Sequence, residues 1–222
     1  MSTWIKQLEG RFIVFDGPDG SGKSTQFKRF MDFCHEQDLA FREVREPGGT
    51  SIGEQIRKVL LDPENTEMSL KCEMMLYMAS RAQLIEQVVN PARADGLLVL
   101  ADRFVSSTLA YQGTAGGLDL DEIMHVGRVA IGDNWPDLTV IFDVDEKTSR
   151  QRRSGRYHGA AQPSLFDDRI ERRESEFHEK VRQGFLDQVE AQPDRYLLID
   201  ATKAEDKVYK SLLDGLRERL AE

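Results

Sequence analysis

The stretch "FDGPDGSGKST", Phe15 to Thr25, contains Gly17-Pro18-Asp19-Gly20-Ser21-Gly22-Lys23-Ser24, a full match to G-x-x-x-x-G-K-[ST]. It continues the apolar run Phe12-Ile13-Val14-Phe15 and opens a stretch, Gly22 to Gln37, with helical character. A glycine loop between a strand and a helix is the setting in which this pattern cradles phosphate. Gly17, Gly20 and Gly22 let backbone N–H groups turn inward around anionic oxygens without a Cβ in the way. Lys23 then reaches the β- and γ-phosphates of a nucleotide as a point charge, and the Ser24 hydroxyl can ligate Mg²⁺. With Pro18, Asp19, Ser21 and Thr25 these positions form the expected ATP-binding set. The loop alone leaves open whether the phosphate is hydrolysed or handed to a second substrate.

Four more strand candidates follow: Phe41 to Arg45, Leu97 to Leu100, Leu138 to Phe142 and Tyr196 to Ile199. Turn residues or charges bound them, as expected of strands buried on both faces, and helical stretches separate them. Five such strands predict a doubly wound α/β fold, a five-stranded parallel sheet flanked by helices, as one domain over 1–222. Periodicity stops in "RSGRYHGAAQPSLFDD", Arg153 to Asp168, which carries two Gly and a Pro. A loop of that length predicts a mobile lid, over about 150–170.

The formal net charge of −9 argues against a nucleic-acid partner, which would need a basic surface to displace counterions. A phosphorylated ligand must therefore be caught by local clusters of Arg and Lys. Cys34 and Cys72 have no metal-ligand spacing and read as free thiols of a reducing compartment. The N-terminus MSTWIKQLEGR lacks an apolar signal, and no apolar run is long enough for a bilayer. A cytoplasmic protein with no membrane partner is expected.

Asp102 ends one strand candidate, where its carboxylate could hold the water shell of Mg²⁺ or pair with its own neighbour, Arg103. ATPases often place a water-polarising Glu after that Asp; Arg103 stands there instead, and no N-K-x-D motif occurs. Positive charge at this point suits a second phosphate better than a hydrolytic water, which weighs against a nucleotide switch. A helix is predicted from about Glu67 to Val89, with Leu70, Met74, Tyr77, Leu84 and Val88 as its buried stripe. Arg81 falls within that stripe, on the face of Tyr77. A buried arginine needs an anion. Either a substrate phosphate serves, with the Tyr77 ring free to stack on a base, or a structural carboxylate does. Arginines also cluster at the lid: Arg150, Arg152, Arg153 and Arg156 before it, Arg169, Arg172 and Arg173 after it. "DDRIERRESEFHEK" doubles as a solvated helix with acid–base pairs, so Arg153 and Arg156 are the candidate catalytic charges of a closing lid.

Together these segments resemble the thymidylate kinase family. The resemblance rests on "FDGPDGSGKST", "REPGGT" (Arg45 to Thr50), "MLYMASRAQL" around Arg81, "DRFVSSTLAYQG" (Asp102 to Gly113) and "DRIERR" after the lid. It implies the P-loop nucleoside monophosphate kinase fold, transfer of the γ-phosphoryl group from ATP to dTMP, Mg²⁺ and a homodimer. It also implies roles: Asp19 near the sugar 3′-hydroxyl and the metal, and Arg45 and Pro47 beside the monophosphate. Tyr77 is expected to stack on thymine, Arg81 to contact base and phosphate edges, and Arg103 to hold the dTMP phosphate. Ser107, Thr108, Tyr111 and Gln112 align with residues around base and deoxyribose, with Thr108 replacing the Asn of some members. Gly20 after Asp19 resembles the bacterial type, in which the lid supplies the catalytic arginine. A UMP or CMP kinase, or a nucleotide-dependent regulatory switch, is the competing expectation.

Overall fold

The computed structural model describes residues 3–157 and 175–220. Its strands are β1 (Phe12–Asp16), β2 (Phe41–Arg45), β3 (Leu98–Asp102), β4 (Leu138–Asp143) and β5 (Tyr196–Asp200). They form one parallel five-stranded sheet in the order β2-β3-β1-β4-β5. Each sits within a residue or two of its expected position. Burial on both faces holds for β1, β3 and β4, whose residues are nearly all buried. It fails for β2 and β5, which expose part of their length. These two are the edge strands, each with a neighbour on one side only.

The helices are α1 (Thr3–Lys6), α2 (Lys23–Glu36), α3 (Ser51–Leu61), α4 (Leu70–Leu84), α5 (Asn90–Ala94), α6 (Val105–Thr108), α7 (Leu120–Ile131), α8 (Glu146–Tyr157), α9 (Ser175–Ala191) and α10 (Glu205–Leu220). One core layer joins α1, α2 and α10 to the sheet around Phe15, Phe27, Phe30 and Phe142. The opposite layer packs α4, α5 and α7 around Phe12, Met78, Ile85 and Phe104. Apolar helix stripes on both faces explain why the central strands are apolar throughout.

Two further expectations need correction. The Arg81 helix begins at Leu70, because the Ser69 hydroxyl accepts the Cys72 N–H at 3.3 Å and caps it there. It passes into a π-helical segment, Ile85–Val89, before α5. Its buried stripe is Met74, Met78, Arg81, Leu84, Ile85 and Val89, while Leu70, Tyr77 and Val88 are half-buried. Second, the segment expected as a loop from Arg153 is helical as far as Tyr157, because α8 extends through it. The remainder of the expected lid, with Arg169, Arg172 and Arg173, lies outside the described residues.

Candidate active site

The sheet order places the carboxyl end of β1 beside that of β3, with Phe15 paired to Asp102. Asp16, the last residue of β1, is completely buried. Its Oδ1 accepts Gly17 N–H at 2.9 Å, Ser107 Oγ at 2.8 Å and Arg103 Nη1 at 3.1 Å. Its Oδ2 accepts Ser106 Oγ at 2.6 Å. Arg103 follows β3 with φ of 72°, a left-handed conformation that a side chain rarely adopts. From there Nη2 reaches Asp19 at 2.5 Å, and the Tyr111 hydroxyl donates to the other Asp19 oxygen at 2.8 Å. Arg103 thus ties the glycine loop to the helix that follows β3.

Backbone geometry explains the glycines. A Cβ on Gly17, at φ 137°, would lie 2.6 Å from the Phe142 carbonyl oxygen. On Gly20, at φ 77°, it would lie 2.7 Å from the Ser149 carbonyl oxygen. Ser149 Oγ donates to the Asp19 carbonyl at 2.6 Å, so α8 braces the loop from outside. Arg152 of α8 adds bonds to the carbonyls of Ser21 at 3.3 Å and Ala201 at 3.0 Å. Gly22 precedes α2 in a left-handed conformation, and Ser24 and Thr25 lie exposed in its first turn.

Lys23 is buried and paired with Asp102. Asp102 therefore does not pair with its neighbour Arg103, whose partners are Asp16 and Asp19. No cluster of three or more His, Cys, Asp or Glu able to cage a metal occurs among the described residues. Asp19, Ser24 and Asp102 nevertheless line one cavity with Lys23. Two carboxylates and a hydroxyl fit Mg²⁺, which keeps several waters and takes the rest of its ligands from substrate phosphates.

That cavity also holds the acceptor candidates. Arg45, Pro47, Tyr77, Arg81, Arg103, Ser107, Thr108, Tyr111 and Gln112 all line it. The sequence left a phosphate or a carboxylate open as the partner of Arg81; in the structure it is the Glu46 carboxylate, 2.6 Å from Nη2 and 2.7 Å from Nε. Gln112 is fixed by donating to buried Glu73 at 2.6 Å. Arg45 forms a half-exposed pair with Glu54 at 3.2 Å. Tyr111 and Gln112 belong to a second π-helical segment, Leu109–Thr114, which directly extends α6. The wider turn of such a segment changes which side chains face the cavity.

Burial opposes the ionisation of Asp19, but Arg103, the Tyr111 hydroxyl and Lys23 outweigh it and hold the carboxyl below its usual range. Asp102 behaves alike: burial works against its charge, and Lys23 and Arg103 prevail. Burial keeps the Tyr111 phenol protonated far above its ordinary range, so it remains a donor to Asp19. At Glu46 burial wins over Arg81 and pushes the carboxyl up to about 7.

Gly17, Pro18, Gly20, Ser21, Gly22 and Thr25 form the loop and first helical turn rather than the cavity wall. The side chains of Arg153 and Arg156 lie outside the described residues, although their backbone belongs to α8. Asp16, Glu46, Glu73 and Arg152 were not singled out as site residues from sequence. Asp16 had one local signal, an acid at a strand end directly before the glycine loop. Glu46 stood between two expected site residues, Arg45 and Pro47.

A family model described as thymidylate kinase matches residues 15–212. The chain is 41% identical over 201 residues to a thymidylate kinase of Symbiobacterium thermophilum, covering 90% of each sequence. It is 42% identical over 213 residues to one of an Exiguobacterium species, covering 96% of this chain and 97% of the relative. A Bacillus velezensis thymidylate kinase is 38% identical over 213 residues, covering 96% and 98%.

Proposed function

The chain belongs to the thymidylate kinase family, and we propose that it transfers the γ-phosphoryl group of ATP to dTMP, giving ADP and dTDP for dTTP synthesis. The observation that carries this reading is the Arg103 junction, where Asp16 and Asp19 hold one guanidinium between the glycine loop and the acceptor cavity. Phosphoryl transfer needs two phosphates in line and compensation of the charge that develops between them, and little covalent work from the protein.

In this reading the glycine-loop backbone and Lys23 hold the donor phosphates, with Lys23 leaving Asp102 for them. Arg103 holds the acceptor phosphate, and Asp19 orients the sugar 3′-hydroxyl with Tyr111 packed alongside. Tyr77 offers its ring to the base, Arg81, Thr108 and Gln112 meet the base edge, and Arg45, Pro47 and Ser107 close the cavity around the nucleotide. Ser24, Asp102 and Asp19 are the residues that would hold Mg²⁺, which when bound neutralises charge on the donor phosphates. Arg153 and Arg156 remain the assigned lid charges for the transition state, and their carriage on α8, which braces the glycine loop, supports that assignment.

We further assign a homodimer and a cytoplasmic location. Exposed Ile52 and Val59 on α3, Met75 on α4, and Leu120 and Val129 on α7 supply apolar surface for such an interface. No helix among the described residues is long and apolar enough to cross a membrane. A UMP or CMP kinase and a regulatory switch are not favoured by the family match. ADP release is to be measured with dTMP, dUMP, UMP and CMP at equal concentration. Turnover highest with dTMP is expected; faster turnover of UMP or CMP, or ADP release independent of any monophosphate, would reject the reading.

A further inference from the structure

A second cavity, of about 620 Å³, lies between α7 and α9 over Thr139 of β4. That volume falls within the roughly 300–1,000 Å³ of small-molecule sites. None of the residues assigned to ATP, dTMP or Mg²⁺ lines it, yet it backs onto the acceptor cavity, because Phe104 lines both. Leu109, Met124, Trp135 and Pro136 make part of its wall apolar. Arg128 of α7 and Arg195, just before β5, line it as well. Both are exposed, and neither side chain has an ion-pair or hydrogen-bond partner among the described residues. Asp187 of α9 is the acidic residue among those that line it, and it accepts Gln183 Nε2 at 2.7 Å.

A chain of hydrogen bonds joins this cleft to the Arg103 junction. The Tyr196 hydroxyl donates to Gln188 Oε1 at 3.0 Å, and Gln188 Nε2 donates to the Ser106 carbonyl at 3.2 Å. All three residues line the cleft. Ser106 Oγ donates in turn to Asp16 Oδ2 at 2.6 Å, and Asp16 Oδ1 accepts Arg103 Nη1 at 3.1 Å. Two unpartnered guanidinium groups in a chain of net charge −9 form a local positive patch. Guanidinium suits the oxygens of a carboxylate or phosphate, and an indole ring such as that of Trp135 suits a flat aromatic partner. We propose that this cleft is an effector site for a small aromatic anion, and that its occupation tightens binding in the acceptor cavity. The coupling rests on the reading of Arg103 as the group that holds the acceptor phosphate; the binding itself does not.

The sign of the coupling follows from what the cleft supports. An occupant fills the space behind Phe104 and Ser106, into which that wall would otherwise relax. It therefore favours the arrangement in which Ser106 holds Asp16 and Asp16 holds Arg103, and a ligand shifts an equilibrium toward the state it binds better. A second copy of the chain fits the cleft less well than a small anion does. The exposed apolar residues Ile52, Val59, Met75 and Val129 lie outside the cleft lining, and Leu120 alone of the proposed interface residues belongs to it.

The chain has two tryptophans, and they report separately: Trp135 lines the cleft, while Trp4 belongs to the other core layer. Protein labelled with 5-fluorotryptophan is titrated with 1-naphthoate, 1-naphthyl phosphate and the cation 1-naphthylmethylamine, with ¹⁹F resonances as the readout. An anion should move the Trp135 resonance saturably and leave Trp4 in place, and the cation should move neither. The tighter of the two anions identifies the acidic group as carboxylate or phosphate. Arg128→Gln and Arg195→Gln should each weaken that anion roughly tenfold, with KM for dTMP unchanged in its absence. No saturable Trp135 shift, an equal response to the cation, or unaltered binding in both variants overturns the site. A Trp135 resonance that moves with protein concentration and not with anion gives the cleft to a second copy and overturns it too. For the coupling, the dissociation constant of dTMP is measured by calorimetry with and without saturating amounts of the tighter anion. It should fall about fivefold, and dTMP should tighten the anion by the same factor. Unchanged or weaker dTMP binding overturns the effector role. Failure to bind dTMP without any anion rejects the proposed function and the coupling with it, while the Trp135 response still decides the site.

Discussion

Replacing Asp16 by Asn tests the junction that joins donor and acceptor sides. Asn keeps the volume of the side chain and removes its charge from a group that is 0% exposed. Asp16 accepts four hydrogen bonds, from Gly17 N–H, Arg103 Nη1, Ser106 Oγ and Ser107 Oγ. The amide oxygen can retain most of those now made to Oδ1, and Ser106 can turn its hydroxyl to accept from the new amide group. What is lost is the anionic partner of Arg103, a charge-assisted contact worth about 1.5–3 kcal/mol. Arg103 keeps Asp19, so no wholly unpaired buried charge remains. At about 2–4 °C per kcal/mol for a chain of this size, the melting temperature should fall by roughly 3–12 °C. The kinetic effect should be larger. Arg103 occupies a left-handed conformation that Asp16 helps to hold, and a displacement of about 1 Å at a reacting phosphate costs on the order of 10² in rate. Calorimetric unfolding and steady-state kinetics with dTMP and ATP varied separately provide the assay. A lower kcat and higher KM for dTMP, with KM for ATP nearly constant, is expected. A stable variant with wild-type dTMP kinetics would show that Asp16 does not position Arg103.

Lys23→Ala should abolish phosphoryl transfer by removing charge from the donor phosphates; because Lys23 is buried against Asp102, a small loss of melting temperature should accompany it, and near-normal kcat in the folded variant would reject the role. Gly20→Ala places a Cβ 2.7 Å from the Ser149 carbonyl at positive φ, so about 1–2 kcal/mol of conformational strain plus the clash should appear as lower stability and weaker ATP binding; a melting temperature equal to wild type would contradict the loop geometry. Arg153→Ala or Arg156→Ala should lower kcat by roughly 10³-fold with both KM values largely kept, and a double variant retaining more than about a tenth of wild-type kcat would place the catalytic charge elsewhere.

The glycine loop was legible in sequence because its requirements are local: eight residues carry the φ angles, the backbone N–H groups and the lysine. The five strand centres were legible for a similar reason, since each is a short run marked by its own turn residues. Burial of the strands was not, because exposure of β2 and β5 depends on having one neighbour instead of two, and strand order is a property of the whole chain. Periodicity placed Arg81 on a buried face and so established that an anion must meet it. Which anion was decided by tertiary structure, which brings Glu46 to it across 35 residues. The same holds for Asp16, whose acidic side chain before the loop had no evident partner in the sequence. Arg103, Ser106 and Ser107 reach it from 87 to 91 positions away only because β1 and β3 are neighbours in the sheet. Local chemistry along the chain specified what each buried charge required, while the packing of distant strands and helices selected the group that supplied it.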